Sequence, residues 1–354
     1  MEKSITKKQL AVIFGGQSGE HEVSLKSANQ VMGALDKNKY EVIPIAITKS
    51  GYWLVGNEGQ KYLEDNLEKA AQEGGVEKED SFEDIGKLPE KFPPIDLVLP
   101  IMHGTFGEDG KLQGALEMLG LPYVFSGVLA SALAMNKRKT KIIAKAAGLK
   151  IAKDEMISKN NKYNVEKIIA KLNFPIVIKP TELGSSVGTN LATSKEELVS
   201  GIKEALKYGN EVLLEEFVKG RELTVSVIGD KFPKELPVIE IVPKISDWFD
   251  YRAKYETGGS KEVCPAEIPD DVRKKVQRYA VKIFKTVGCL DLSRADFIWS
   301  TLDDKLYFLE INTIPGMTAT SLTPQSAAAA GMEFSVFLDK LIESALKRYA
   351  REKK

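Results

Sequence analysis

The residues best suited to chemistry lie late in the chain, in Arg294-Ala295-Asp296-Phe297-Ile298 and Leu306-Tyr307-Phe308-Leu309-Glu310-Ile311-Asn312. Both runs read as strands, and the turn-rich stretch 300–304 between them predicts a hairpin. Alternate residues of a strand share a face, so Arg294 and Asp296 point one way, and Glu310 and Asn312 share a face on the partner. Pairing centred on residue 303 sets Asp296 opposite Glu310 and Arg294 opposite Asn312. Two carboxylates about 5 Å apart repel, and a cation between them is the natural remedy. Oxygen donors from Asp, Glu and Asn suit Mg²⁺, which also takes phosphate oxygens and water. A surface hairpin with solvated charges would share this pattern. The sequel Asn312-Thr313-Ile314-Pro315-Gly316-Met317-Thr318, however, leaves the strand in a rigid Pro-Gly turn that exposes backbone N–H groups, as anion recognition requires. Lys179 before a glycine loop, Lys137 on a helix and the acidic strand end Glu215-Glu216 complete a nucleoside-triphosphate site. No G-x-x-x-x-G-K-[ST] occurs, so it is not a P-loop.

These residues need a scaffold, and the pattern is α/β. An apolar strand at 10–14 runs into Gly15-Gly16-Gln17-Ser18-Gly19-Glu20 and then a helix with Leu25, Ala28, Met32 and Leu35 at helical spacing. Residues 40–48 alternate like a second strand, and the continuous apolar run 95–101 suits a buried parallel one, so the N-terminal third reads as a doubly wound domain. Residues 57–92, rich in Glu, Lys, Asp and Gly with little periodicity, read as a solvated surface insertion. A helix is expected over 129–147, ending at Gly148. Strands follow at 175–179, 211–218, 223–228 and 238–242; Ser194 and Glu197 have capping-box spacing before a helix. The polar stretch 246–267 resembles a mobile lid, and a helix is expected over 270–287.

Composition narrows the function. The chain has 354 residues, 43% hydrophobic, with 50 Lys+Arg balancing 50 Asp+Glu, enough for two or three domains. Zero net charge argues against binding nucleic acid through bulk charge, and the lysines of 137–145 lack interleaved aromatics. No apolar run approaches a membrane span and the start does not read as a secretory signal, so a cytoplasmic protein is expected. Cys264 and Cys289 read as inert packing thiols in a reducing compartment. With only His21 and His103, chemistry must rest on carboxylates, lysines, arginines and backbone. The first glycine loop lacks G-x-G-x-x-G spacing, and Glu20 stands where a pyrophosphate would sit, which removes a dinucleotide reading.

Six motifs in order resemble the D-alanine–D-alanine ligases of the ATP-grasp superfamily over nearly the whole chain outside 57–92. They are Gly15-Gly16…Ser18…Glu20…Glu22-Val23-Ser24, His103-Gly104…Gly107-Glu108-Asp109-Gly110, Lys179-Pro180…Gly184-Ser185-Ser186-Val187-Gly188, Tyr251…Lys254-Tyr255, Arg294…Asp296, and Glu310…Asn312…Pro315-Gly316-Met317-Thr318. The resemblance implies three domains, divided as 1–125, 126–215 and 216–354, with ATP between the second and third. It implies two Mg²⁺, with Mn²⁺ able to substitute, on Asp296, Glu310 and Asn312, and phosphate contacts from Lys137, Lys179 and Lys254. Glu215, Glu216, Phe217 and Val218 would frame adenine and Glu222 the ribose. The family usually has Lys at the position of Glu216, which leaves adenine to backbone groups there.

By the same resemblance Glu20 would pair with the ammonium of a first D-alanine, with Ser185 and Tyr255 around it and His103 near its carboxylate. Arg294 and the Gly316 N–H would stabilise the oxyanion, and Ser321 and Leu322 would receive the second D-alanine. A homodimer is the family's usual state. The nearest rivals are same-fold ligases that accept D-serine or D-lactate; a nucleotide-binding regulator that has lost catalysis would need a broken metal or oxyanion set.

Overall fold

The run at 10–14 becomes the centre of a first sheet. In the computed structural model, which describes residues 7–72, 92–184, 188–244 and 259–352, β1 (Lys8–Gly15) lies between β2 (Tyr40–Ile47) and β4 (Leu97–Ile101), both parallel to it, with β3 (Trp53–Val55) antiparallel at the edge. Period-two alternation sends Leu10, Val12 and Phe14 against Leu25 and Ala28 of α1 (His21–Ala34), and Ala11 and Ile13 against Leu112 and Leu116 of α3 (Lys111–Met118). Both faces are covered, which is why these strands are apolar throughout.

The insertion expected over 57–92 needs correction. Residues Asn57–Gln72 form helix α2, and Leu63, only 1% exposed, packs into the core shared by β1 and α1. Its apolar positions are too sparse among Lys and Glu for the periodicity to stand out in sequence. The rest of that span, 73–91, lies outside the described residues.

The second sheet is antiparallel, in the order β5 (Asp154–Ser158), β8 (Glu211–Glu216), β6 (Ile176–Pro180), β7 (Asn190–Ala192). Ile168 and Leu172 of α6 (Val165–Leu172), and Leu198 and Ile202 of α7 (Lys195–Ala205), bury against it. Ser194 caps α7 by accepting from the Glu197 N–H at 3.2 Å, but the Glu197 carboxylate returns to the Thr193 N–H at 2.7 Å, one residue outside the standard box.

The third sheet runs β12 (Ser260–Val263), β11 (Ile239–Pro243), β9 (Gly220–Gly229), β13 (Asp291–Ser300), β14 (Leu306–Asn312), with β10 (Lys234–Glu235) also on β9. Helix α8 (Asp270–Val287) buries Val276, Ala280, Ile283 and Phe284 against it and stops at Gly288, whose φ of 82° is a left-handed cap. The single helix expected over 129–147 is two: α4 (Val128–Met135) and α5 (Lys137–Ala146), both packed on this sheet. Asn136 divides them, leaving α4 in extended backbone and capping α5 by accepting from the Lys139 N–H at 2.9 Å.

Of the span expected as a lid, 246–267, the described end from 259 belongs to the sheet. Residues 260–263 are β12, and the Ala266 N–H donates to the Val238 carbonyl at 2.8 Å, so the chain rejoins the sheet there. Residues 245–258, with Tyr251, Lys254 and Tyr255, lie outside the described residues. After β14, α9 (Leu322–Ala329) and α10 (Phe334–Glu352) carry the chain back to the first sheet, where Leu338 and Leu341 join its core. There Arg348 pairs with buried Asp291 at 2.8 Å, and Asp291 also accepts from the Phe125 N–H at 3.0 Å, fixing the start of β13.

Candidate active site

The hairpin has the expected register. Arg294 faces Asn312 and Asp296 faces Glu310, while beyond them Phe297 pairs with Phe308. Leu309 is therefore an extra residue, a bulge the sequence did not reveal, and it lets two consecutive side chains, Leu309 and Glu310, line one cleft. The repulsion anticipated between the carboxylates is relieved by protein cations. Arg294 grips Asp296 with Nε at 3.0 Å and Nη2 at 2.8 Å, and Lys137 Nζ stands 3.6 Å from Glu310. Thr224 Oγ1 and Asn312 Nδ2 also donate to Asp296. Burial alone would lower the Arg294 pKa, but Asp296, Glu310 and Glu108 together raise it.

The cleft lies between the second and third sheets. Its walls include Lys137, Lys179, Glu215, Glu216, Phe217, Val218, Glu222, Asp296 and Glu310, all anticipated as nucleotide or metal residues, with Ile298 and Leu309 as apolar surfaces. Asn312 lines the adjoining cavity with Lys137 and Glu310. The Glu216 carboxylate is engaged within the sheet: it accepts from the Lys153 N–H at 2.9 Å, and the Glu216 N–H donates to the Lys153 carbonyl. Among the described residues no three His, Cys, Asp or Glu side chains group as metal ligands. The oxygen set is two facing carboxylates and one amide, which fits an ion that completes its shell with phosphate and water.

Sequence reasoning missed Lys141. Its ammonium and that of Lys179 both bond the buried Glu215 carboxylate, Lys179 at 2.8 Å. Burial would raise the Glu215 pKa, but the two lysines outweigh it and hold the group at about 2. Burial lowers Lys141, partly offset by Glu215. The signal was available: Lys141 follows Lys137 by one helical turn and shares a face with buried Ala144.

The side where the resemblance puts the amino acids is formed by the loop after β1. Gly15 adopts φ 85°, and a Cβ there would stand 2.3 Å from the Ile47 carbonyl, so only glycine fits. Ser24 Oγ accepts from the Gly15 N–H at 2.7 Å and donates to the Ile101 carbonyl, and Ser18 Oγ donates to the His103 carbonyl at 2.7 Å. Glu20 makes no side-chain cap to α1. Its carboxylate instead lies between Gly104 and Gly184, within 2.5 and 2.8 Å of where their Cβ atoms would be. Ser185 lies outside the described residues.

His103 is buried and both ring nitrogens are engaged, Nδ1 with the Ile314 carbonyl at 3.1 Å and Nε2 with Ser27 Oγ at 3.2 Å. A carbonyl can only accept, so Nδ1 carries the proton and Nε2 accepts from Ser27. Burial lowers its pKa to about 4, and the ring is neutral. Glu108, quoted in the sequence only as part of a motif, accepts from the Gly104 N–H and the Ile314 N–H, each at 3.0 Å. Ser321 accepts from the Thr318 N–H at 3.1 Å and lies 2.9 Å from where a Gly316 Cβ would be; Leu322 begins α9 beside it. Glu20, Gly184, Glu108 and the 312–316 turn thus adjoin this cleft.

Comparison with known proteins settles the family. The model for the D-ala D-ala ligase N-terminus matches residues 9–126 and that for the D-ala D-ala ligase C-terminus matches 143–343. The chain belongs to the D-alanine–D-alanine ligase family. It is 40% identical over 358 residues to the D-alanine–D-alanine ligase of Natranaerobius thermophilus, covering 97% of this chain and 96% of that one. The ligase of Ruminiclostridium cellulolyticum is 41% identical over 367 residues, 98% and 97% of the two chains. Among solved structures, the D-alanine–D-alanine ligase from Coxiella burnetii superposes with a TM-score of 0.83 at 32% identity, over 98% of this chain and 96% of that one. The VanG D-Ala:D-Ser ligase from Enterococcus faecalis gives 0.80 at 35% identity, over 96% and 100%. The Bacillus anthracis ligase complexed with ATP gives 0.74 at 32%, over 98% and 99%. The ATP-grasp α/β architecture expected from the sequence is therefore that of its structural relatives.

Proposed function

We propose that this ligase joins two D-alanines into D-alanyl-D-alanine for peptidoglycan precursors, converting ATP to ADP and phosphate. The observation that carries the reading is the hairpin register, which sets Arg294 against Asn312 and Asp296 against Glu310, the latter two lining a cleft with Lys137, Lys179 and Glu215. The first D-alanine, its ammonium on Glu20, offers its carboxylate to the γ-phosphorus; the bond to the bridging oxygen breaks and ADP departs. Lys137 and Lys179 hold phosphate oxygens, joined by Lys254 on the resemblance alone. Two Mg²⁺, or Mn²⁺, on Asp296, Glu310 and Asn312 would neutralise the triphosphate charge when bound. The amine of the second D-alanine, deprotonated, then attacks the acyl-phosphate carbonyl. Arg294 and the Gly316 N–H stabilise the resulting oxyanion, an effect worth roughly 10²–10³ in rate per donor. Collapse expels phosphate. Ser321 and Leu322 hold the second substrate; Phe217, Val218 and the backbone of Glu215 frame adenine, and Glu222 the ribose. On the resemblance alone, Ser185 and Tyr255 would contact the first substrate.

The similarity to a D-Ala:D-Ser ligase makes D-serine the second acceptor to test. A pocket for a methyl group rejects an added hydroxyl poorly. Incubating the protein with ATP, Mg²⁺ and D-alanine, alone or with D-serine or D-lactate, should yield chiefly D-alanyl-D-alanine by mass, one phosphate per dipeptide. A dominant mixed product would reassign the acceptor. No described helix is long and apolar enough to cross a membrane, and we place the enzyme in the cytoplasm beside its nucleotide. Exposed Met118 (92%) and Leu129 (71%), with Leu119 and Val128 at the α3–α4 junction, support a homodimer through this face, which light scattering would test.

A further inference from the structure

We propose that Glu108 and His103 clamp the Ile314 peptide and thereby set the Gly316 N–H for the ligation step, which makes Glu108 a positioning residue. The inference deepens the ligase reading and rests on it. Both polar atoms of one backbone residue are held by the same loop: the Ile314 N–H donates to Glu108 Oε1 at 3.0 Å and the Ile314 carbonyl accepts from His103 Nδ1 at 3.1 Å. Glu108 Oε2 meanwhile accepts from the Gly104 N–H at 3.0 Å, and Gly104 is the residue against which Glu20 packs. One carboxyl group therefore ties the loop beside the first-substrate acid to the turn that carries the oxyanion donor two residues on.

A carboxyl group is a costly choice for this place. Burial, with Glu20 adding to it, pushes its pKa up to about 8, and an apolar side chain would avoid that cost. Only a two-oxygen acceptor, however, serves two N–H groups facing from different segments of chain. The groups facing it are Gly104 from its own loop, Glu20 from the loop after β1, Arg294 from β13, and Lys137, Glu310 and Asn312, which share its cavity. Ile314 itself is 1% exposed in the core, so its peptide is a fixed base from which Pro315 and Gly316 project.

Glu108→Gln keeps the volume but loses one acceptor, since its amide oxygen can serve one N–H while its NH₂ faces the other. The expected result is kcat reduced roughly 10- to 100-fold, as for a misplacement of about 1 Å, with KM for ATP unchanged. Affinity for a phosphinate mimic of the tetrahedral intermediate should fall by the same factor as kcat/KM. Positional isotope exchange within ATP in the presence of D-alanine, which reports acyl-phosphate formation alone, should fall far less. A Glu108→Gln enzyme with wild-type kcat, or one losing exchange and ATP binding in equal measure, would overturn the clamp. If that variant does not fold, Glu108→Asp, with both oxygens but one methylene short, is read by the same criteria. Wild-type enzyme that makes no dipeptide would defeat the ligase reading instead, so the two failures are distinguishable.

Discussion

Replacing Gly104 with alanine should damage the first D-alanine subsite and leave ATP binding intact. Gly104 has φ 71°, and a side chain in that left-handed region costs about 1–2 kcal/mol. The new Cβ would also stand 2.5 Å from Glu20 Oε2. Ordinary contact is about 3.5 Å, so the carboxylate must move by about 1 Å. A hydrogen bond to a charged group contributes about 1.5–3 kcal/mol, so its loss to the substrate ammonium is expected to raise KM for the first D-alanine roughly 10- to 100-fold. KM for ATP should not change, because Glu20 is absent from the nucleotide cleft. Gly331→Ala is the control: its φ is 76°, but nothing lies within 4 Å of the added Cβ. It should lose similar stability in urea melts and keep its KM values. If Gly104→Ala binds the first D-alanine as the wild type does, Glu20 is not its ammonium partner.

Lys141→Met removes one of two cations from a buried carboxylate; because Lys179 remains, the loss should be about 3 kcal/mol by urea denaturation, with KM for ATP raised because Lys179, already 2.8 Å from Glu215, is held there more tightly. Unchanged stability would mean that Lys179 alone satisfies Glu215. The His103 pKa lies at about 4 against an ordinary 6.5, so the folded state binds fewer protons between those values. Stability is then complete above about pH 6.5 and declines as pH falls towards 4, by about 3 kcal/mol in full, and His103→Gln should flatten that limb of a pH series of urea melts. Glu310→Gln should cut phosphate release by roughly 10²–10³, with a urea melt run beside the assay to show that the variant is folded. Near-normal turnover would remove Glu310 from the metal set.

The parts of the site that sequence made legible are those fixed by local rules. Alternation on two strands joined by a short turn determined which of Arg294, Asp296, Glu310 and Asn312 face one another. The bulge at Leu309 escaped because an extra residue leaves the apolar pattern almost intact. Helix α2 escaped because Leu63 is among few apolar anchors in a segment dominated by charge, and its burial depends on α1 and the first sheet. Asn136 is a good cap residue, but helix formers on both sides, Leu and Ala before it and Lys, Ile and Ala after it, conceal the break. Lys141 and Glu108 took their meaning from partners 74 and 206 residues away, Glu215 and Ile314, which no spacing rule connects. The ring nitrogens of His103 bond Ser27 and Ile314, the latter 211 residues away, which no spacing rule connects either.

The proposed reaction turns on phosphorylation of a D-alanine carboxylate before the peptide bond forms. D-alanine labelled with heavy oxygen in its carboxyl group, turned over with ATP and Mg²⁺, tests it directly by mass analysis of the released phosphate. One labelled oxygen per phosphate is the predicted result, because the attacking carboxylate oxygen leaves with phosphorus when the amine displaces it. Dipeptide formed with unlabelled phosphate would contradict the acyl-phosphate route, and with it the roles of Arg294 and Gly316.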